Sequence, residues 1–221
     1  MITVHYLENS RAQRIIWLLE ELGLDYDLKY YERDPQTLLA PESLKAVHPL
    51  GKSPVVTAGD VTVAESGAII EYLIETYGQG RLVPTTPENQ RQYHYWLHYA
   101  EGSLMPWLVM KLVFNRIPKS PDMPFFLRPV AKVIMDRVQT QFLDPQLSTH
   151  LDFIEANLQS QDWFAGDFSA ADIQMSFPLE AASNRVDLAA YPQIQAFMKR
   201  FQNRPAYQRA ISKGGDLEPL D

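Results

Sequence analysis

In the stretch TVHYLENSRAQRIIWLL, residues 3–19, an apolar run stops at Leu7 and a helical pattern begins after Asn9 and Ser10. A hydroxyl at such a junction has two uses. Ser10 and Gln13 fit the capping box Ser-x-x-Gln, in which each side chain satisfies a backbone donor of the other residue. The same helix N-terminus offers free N–H groups and partial positive charge, which favour an anion. It also draws the pKa of a nearby thiol from about 8.5 toward neutrality. A hydroxyl has one donor and two acceptor lone pairs. Ser10 can therefore cap the helix and still donate to a ligand thiolate. Tyr6, earlier on the strand, is the rival donor.

Two further stretches carry polar groups at element junctions. In HPLGKSPVV, residues 48–56, Pro54 opens a strand and Ser53-Pro54 is a candidate cis bond. A cis bond there turns the backbone of Val55 outward at a strand edge, where it can pair with a peptide-like ligand. Lys52, just before, can meet a carboxylate. In AESGAII, residues 64–70, Glu65 and Ser66 sit where strand gives way to helix. The helix N-terminus with Ser66 suits a ligand carboxylate, and Glu65 suits a ligand ammonium. Together they make a receptor for an amino-acid head group.

These residues need elements to hold them. ITVHYL reads as a buried strand, residues 11–22 as a helix with Ala12, Ile15, Ile16, Leu19 and Leu22 on one face, and Gly23 as its stop. YDLKYY reads as a second strand and residues 35–47 as a weak helical segment. SPVVTA and VTVAE form a hairpin about Gly59-Asp60, and residues 66–77 form a helix. LVPTTPENQ then interrupts the pattern as a linker. Beyond it no strand is expected. Residues 88–116 read as one long helix kinked at Pro106, with Tyr99, Ser103, Trp107, Met110 and Phe114 along a stripe. Pro118, Pro121, Pro124 and Pro129 exclude regular helix from the next segment. Helical spacing returns over 130–159, where Asp144-Pro145 is a kink or a new cap, and again over 170–184, 192–203 and after Pro205. The expected architecture is α/β over residues 1–82, a linker at 83–87, and all-helical over 88–221.

Composition narrows the function classes. The net charge of −7 repels phosphate backbones, and Lys and Arg form no run, so nucleic acid is not an expected partner. No stretch approaches the roughly 20 apolar residues of a membrane span, and the N-terminus lacks a signal-peptide pattern, so a cytoplasmic protein is expected. There is no cysteine, so disulfides, thiolate metal sites and redox chemistry at a protein thiol are excluded. A thiol, if one acts here, comes with the ligand.

The order and spacing of these segments resemble the glutathione S-transferases over essentially the whole chain. YLENSRAQR, HPLGKSPVV and AESGAIIEYL look like the three glutathione-site segments of that family's thioredoxin-like domain. FSAADIQMSFPL looks like the capping motif of its helical domain, with Ser169 and Asp172 as caps and Phe168 and Ile173 as a hydrophobic staple. SRAQRIIWLLEEL, HPLGKSP and EGSLMPWL are similar to the serine-type subgroup of bacteria and fungi. The resemblance implies glutathione as co-substrate, no metal, and Ser10 as donor to its sulfur, with Tyr6 the alternative. It implies Val55 for the cysteinyl backbone, Lys52 for the glycine carboxylate, Ser53 as a further glutathione-binding residue, and Glu65 and Ser66 for the γ-glutamyl end. It implies Glu101 reaching across a homodimer interface to the γ-glutamyl amine. His48 stands where relatives often carry Asn, which leaves its role open. The hydrophobic electrophile would lie against Tyr99, Ser103, Trp107, Met110 and Phe114, with segment 118–129 as a wall. The expected activity is thiolate attack on electrophiles in detoxification; glutathione-dependent peroxide or disulfide reduction, and a non-catalytic binding module, are the alternatives.

Overall fold

The computed structural model describes residues 1–35, 37 and 39–215. Four strands form one sheet: β1 (Ile2–Leu7), β2 (Tyr26–Tyr31), β3 (Val55–Ala58) and β4 (Val61–Ala64), in the order β2-β1-β3-β4. β1 runs parallel to β2 from Ile2↔Tyr26 to Leu7↔Tyr31, and β3 pairs antiparallel with both β1 and β4. The parallel pair requires a crossover, which α1 (Ala12–Leu22) supplies. Gly23, at φ 61°, ends α1 in a left-handed turn as the sequence requires. Gly59, at φ 60°, begins the two-residue turn of the β3–β4 hairpin. Of the weak helical segment expected over 35–47, only α2 (Glu42–Lys45) is helix; residues 36 and 38 lie outside the described residues. Leu44 is its single buried anchor.

The helices after the hairpin are α3 (Ser66–Tyr77), α4 (Pro87–Tyr99), α5 (Met105–Arg116), α6 (Arg128–Val138), α7 (Asp144–Leu158), α8 (Ala170–Ser183), α9 (Pro192–Gln202) and α10 (Pro205–Gly214). The long helix expected over 88–116 is α4 and α5 joined by a π-helical turn, Ala100–Leu104. Proline has no N–H for the α-helical bond, and the wider turn just before Pro106 accommodates it. The same device recurs at Gln139–Leu143, before Pro145. Asp144-Pro145 therefore neither caps nor breaks the helix: α6 and α7 run on through a π turn.

A single core of buried side chains joins the two halves through α1, α3, α4 and α8–α10. Trp17 of α1 lies 5.5 Å from Phe201, 5.2 Å from Tyr207 and 5.8 Å from Phe168. Hence α1 is buried nearly all round, Gln13 and Arg14 included. Amphipathic periodicity finds the face of α1 against the sheet but not the face that α8 and α10 cover.

Ser169 and Asp172 open α8 with the expected capping box. Asp172 accepts from the N–H groups of Ser169 and Phe164, both at 2.8 Å. Phe168 packs on Trp163 at 4.9 Å, with the Arg204 guanidinium 3.6 Å above its ring. Burial pushes the Asp172 carboxyl up to about 7, against those hydrogen bonds, which hold it down. A folded pKa above the unfolded value, about 3.9, gives a contribution that is full below the unfolded pKa. It is lost as pH rises through the folded one. Asp172→Asn is expected to flatten that dependence. Its amide oxygen could accept from only one of the two N–H groups and its NH2 would face the other, at a cost of about 1–3 kcal/mol. Thermal unfolding of both proteins across the range from about pH 4 to 8 measures both effects.

Candidate functional site

The β1–α1 junction places Ser10. Asn9 takes φ 49°, a left-handed turn that Asn tolerates, and Ser10 is left only 6% exposed. Helix α1 starts one residue later than a Ser10 cap requires: Arg11 is its N-cap. The Ser10 hydroxyl accepts from the N–H of Ala12 at 3.3 Å, a local turn two residues long. Gln13 does not return the bond. Its amide is buried without a partner among the described residues, and its Oε1 lies against Gly214. The capping box is thus corrected: α10 claims the space where Gln13 would have reached back.

The donor side of Ser10 faces Ser53. Ser10 donates to Ser53 Oγ at 3.1 Å, and Ser53 donates to the His5 carbonyl at 2.9 Å while accepting from Leu7 N–H at 3.1 Å. Ser53 thus links the end of β1 to the start of α1. Tyr6 points the other way. Strand alternation puts it on the face of Ile2 and Val4, in the main core, edge-on to Tyr30 at 5.6 Å. Burial, with Tyr30 and Glu8 nearby, pushes its phenol up to about 12.

The Ser53-Pro54 bond is cis, as the sequence suggested. Val55, however, is not at an edge. β3 is an inner strand, and Val55 pairs with His5 on one side and Ala64 on the other. The main chain left open at this end of the sheet is that of Ser53, whose N–H and C=O form no hydrogen bond among the described residues. Lys52 is exposed beside it, and His48 is half-buried with Nδ1 unpaired among the described residues.

Glu65 and Ser66 sit at the N-terminus of α3. Glu65 holds φ 73°, ψ 123°, a conformation that costs a non-glycine residue about 1–3 kcal/mol, and its side chain is exposed. Ser66 is buried, and its oxygen accepts from Arg14 Nη1 and from Gln174 Nε2, each at 3.1 Å. Both lone pairs are then filled, so the hydroxyl proton is the group left for an acceptor. Arg14, only 1% exposed, also donates to Gln174 Oε1 at 3.0 Å and to Glu101 Oε1 at 2.6 Å. Glu101 receives Arg11 Nε at 3.0 Å on both oxygens. Burial alone would raise the Glu101 carboxyl; the charges and hydrogen bonds of Arg14 and Arg11 hold it below the usual carboxylate range. Burial pulls the Arg14 guanidinium down to about 10. Glu101 thus bridges two guanidinium groups of its own chain and keeps 31% of its side chain exposed.

Sequence reading missed Arg11, Arg14 and Gln174. The available signal was a charged Arg14 three and four positions before the buried Trp17 and Leu18. Such a residue must find partners on whatever covers that face, and those partners lie 87 and 160 positions away in the chain.

The stripe on α4 and α5 divides. Tyr99 is core: it is buried, bonded through its hydroxyl to His150 Nδ1, and packed on Trp96 at 5.0 Å. Its ring also lies 5.5 Å from His150 and 5.9 Å from Phe153, so α7 covers it. Ser103, Trp107, Met110 and Phe114 are half-buried, and the last three lean on the core with one side.

Residues 10–76 match the model of the glutathione S-transferase N-terminal domain and residues 135–205 that of the C-terminal domain. The chain is 36% identical to glutathione S-transferase 3 of Schizosaccharomyces pombe, over 98% of this chain and 89% of that one. It belongs to the glutathione S-transferase family. It is 33% identical to glutathione S-transferase 1 of Saccharomyces cerevisiae, over 98% of this chain and 97% of the relative. A crystal structure of a glutathione S-transferase from Actinobacillus pleuropneumoniae is similar with a TM-score of 0.80 and 36% identity, covering 99% of this chain and 95% of that one. The thioredoxin-like sheet followed by a helical half is thus the architecture of a glutathione S-transferase.

Proposed function

We propose that the chain is a glutathione transferase of the serine type, in which the Ser10 hydroxyl stabilises the glutathione thiolate. The observation that supports this most is the disposition of hydroxyl protons. Ser10 donates only to another hydroxyl, which a thiolate outcompetes, because a bond to an ionised acceptor is roughly twice as strong. Ser66 keeps a proton with both its lone pairs filled, at the N-terminus of α3. The first suits a sulfur anion and the second a carboxylate.

In this reading residues 1–82 hold glutathione, 83–87 link, and 88–221 face the electrophile. Ser66 and the α3 N-terminus take the γ-glutamyl carboxylate, and exposed Glu65 takes its ammonium. Main-chain groups of Ser53, rather than of Val55, pair with the cysteinyl backbone, and Lys52 meets the glycine carboxylate. The thiol loses its proton near the positive end of α1. The sulfur then forms a bond to an electrophilic carbon, whose leaving group departs with the electron pair. Ser103, Trp107, Met110 and Phe114 are the apolar wall for that electrophile. The family also supports a homodimer acting in the cytoplasm in detoxification.

Retention on immobilised glutathione together with turnover of an aryl halide tests the activity; retention without turnover would reduce the protein to a binding module. Lys52→Ala and Glu65→Gln are each expected to raise the KM for glutathione about tenfold, the scale of one exposed charge-assisted contact. Because both hold parts of glutathione remote from the sulfur, kcat is expected to change little. Steady-state kinetics with glutathione as the varied substrate separates the two parameters.

A further inference from the structure

The segment between α5 and α7 is unlike the rest of the molecule. None of the residues of α6 is buried. Phe125 is 80% exposed, Phe126 64% and Val133 67%, and Leu127, Val130 and Ile134 are exposed as well. Ala131 and Met135 turn α6 toward the bundle, which leaves Val130, Val133 and Ile134 along an adjoining, uncovered face. Six large apolar side chains within ten positions exceed the scattered exposure normal for a surface and mark a contact site.

Charge follows the same segment. Residues 116–138 contain five Lys and Arg against two Asp, a balance of +3 in a chain of −7, so the remaining residues carry −10. Lys119, Arg128, Lys132 and Arg137 are all exposed; Arg137 shares the face of Val130, Val133 and Ile134, whereas Arg128 donates to the carbonyls of Met123 and Ser120. Lys132 pairs with Asp136 at 2.6 Å. An amphipathic helix with aromatic residues at its entry and a basic flank suits the boundary between acyl chains and anionic headgroups. A second copy on the same face would set one segment of charge +3 against another, since a two-fold contact joins the same patch of both subunits.

We propose that residues 119–138 are a docking surface for an anionic lipid bilayer: Phe125, Phe126 and the Val130–Val133–Ile134 face enter the interface, and Lys119 and Arg137 meet the headgroups. Attachment is reversible, and the net charge of the remainder holds the rest of the molecule off the surface.

Co-sedimentation of the full chain with phosphatidylcholine vesicles, with and without phosphatidylserine, tests this. Binding is expected only with phosphatidylserine present, and added salt is expected to weaken it. Phe125→Ser/Phe126→Ser and Lys119→Glu/Arg137→Glu are each expected to weaken binding by about tenfold or more, the effect of losing burial of one apolar side chain or several headgroup contacts. Circular dichroism and thermal unfolding of both double variants are expected to match wild type, since all four side chains are exposed; if the Phe pair fails to fold, the charge pair decides. Absence of binding to phosphatidylserine vesicles at low salt overturns the proposal, as does equal binding to both vesicle types. A wild-type oligomer that the Phe pair dissociates, with no vesicle binding, assigns the face to a second copy and also overturns it.

Discussion

Ser10→Ala is expected to lower kcat/KM for conjugation about 10- to 100-fold. Without ligand, Ser10 spends its proton on Ser53 at 3.1 Å. A thiolate is the stronger acceptor, so the proton turns to sulfur, and Ser53 keeps its bonds to Leu7 and His5. Losing one charge-assisted bond of about 1.5–3 kcal/mol gives that range of rate. The fold is expected to lose much less, about 1 kcal/mol, since what disappears is a long bond to Ala12 N–H and a neutral pair. Rate and stability therefore separate, and the apparent pKa in the pH profile of kcat/KM rises with the thiol. Tyr6→Phe is the control. Its phenol lies on the core face of β1 and burial holds it protonated up to about 12, so near wild-type turnover is expected. An inactive Tyr6→Phe beside an active Ser10→Ala would move the role to Tyr6; a Ser10→Ala protein that is less stable but fully active would leave Ser10 a structural residue.

Glu101→Gln is expected to cost about 3 kcal/mol of stability, or roughly 6–12 °C in Tm for a chain of this length. Glu101 is the carboxylate between Arg11 and Arg14, and Arg14 is buried while Glu101 keeps 31% of its side chain exposed. Removing it leaves two guanidinium groups facing a neutral amide, one of them away from water. The partial exposure places the cost at the lower end for a broken buried pair. The same change frees Arg14 from its shortest bond and loosens the hold of Arg14 on Ser66. A higher KM for glutathione at nearly constant kcat is expected alongside the fall in Tm. The pH dependence has a definite sign. The Glu101 carboxyl is held below its ordinary range, so its contribution is present above the unfolded pKa and is lost as pH falls through the folded one. The difference in Tm between wild type and Glu101→Gln is thus expected to shrink in acid. Equal stability of the two proteins at neutral pH would show that the network carries no net energy.

The two expected results draw on different levels of information. Ser10, Ser53, Lys52, Glu65 and Ser66 were readable as candidates because each lies at a junction where a strand meets a helix or a turn. Junctions are marked locally, by small polar residues, by glycine, and by proline at Ser53-Pro54. Gly23 and Gly59 were found for the same reason: a left-handed φ is a property of one residue. The capping box at Ser10 failed because its second half, Gln13, answers to α10, nearly the whole chain away. The sheet order decided Val55 in the same manner. A strand's neighbours cannot be read from its own residues, and β3 turned out to be flanked on both sides.

The sequence alone thus determined the two-part architecture, the strand-to-helix junctions, and the absence of any thiol of the protein's own. These follow from periodicity, backbone restriction and composition, which act over a few residues. Tertiary structure decided that Glu101 and Arg14 meet, that Ser66 is left with a free proton, and that Tyr6 and Tyr99 face inward. Those outcomes depend on which distant helix covers which face of α1 and on α7 packing His150 and Phe153 against Tyr99. A buried guanidinium must find its partners wherever packing brings them, and no local pattern records where that will be.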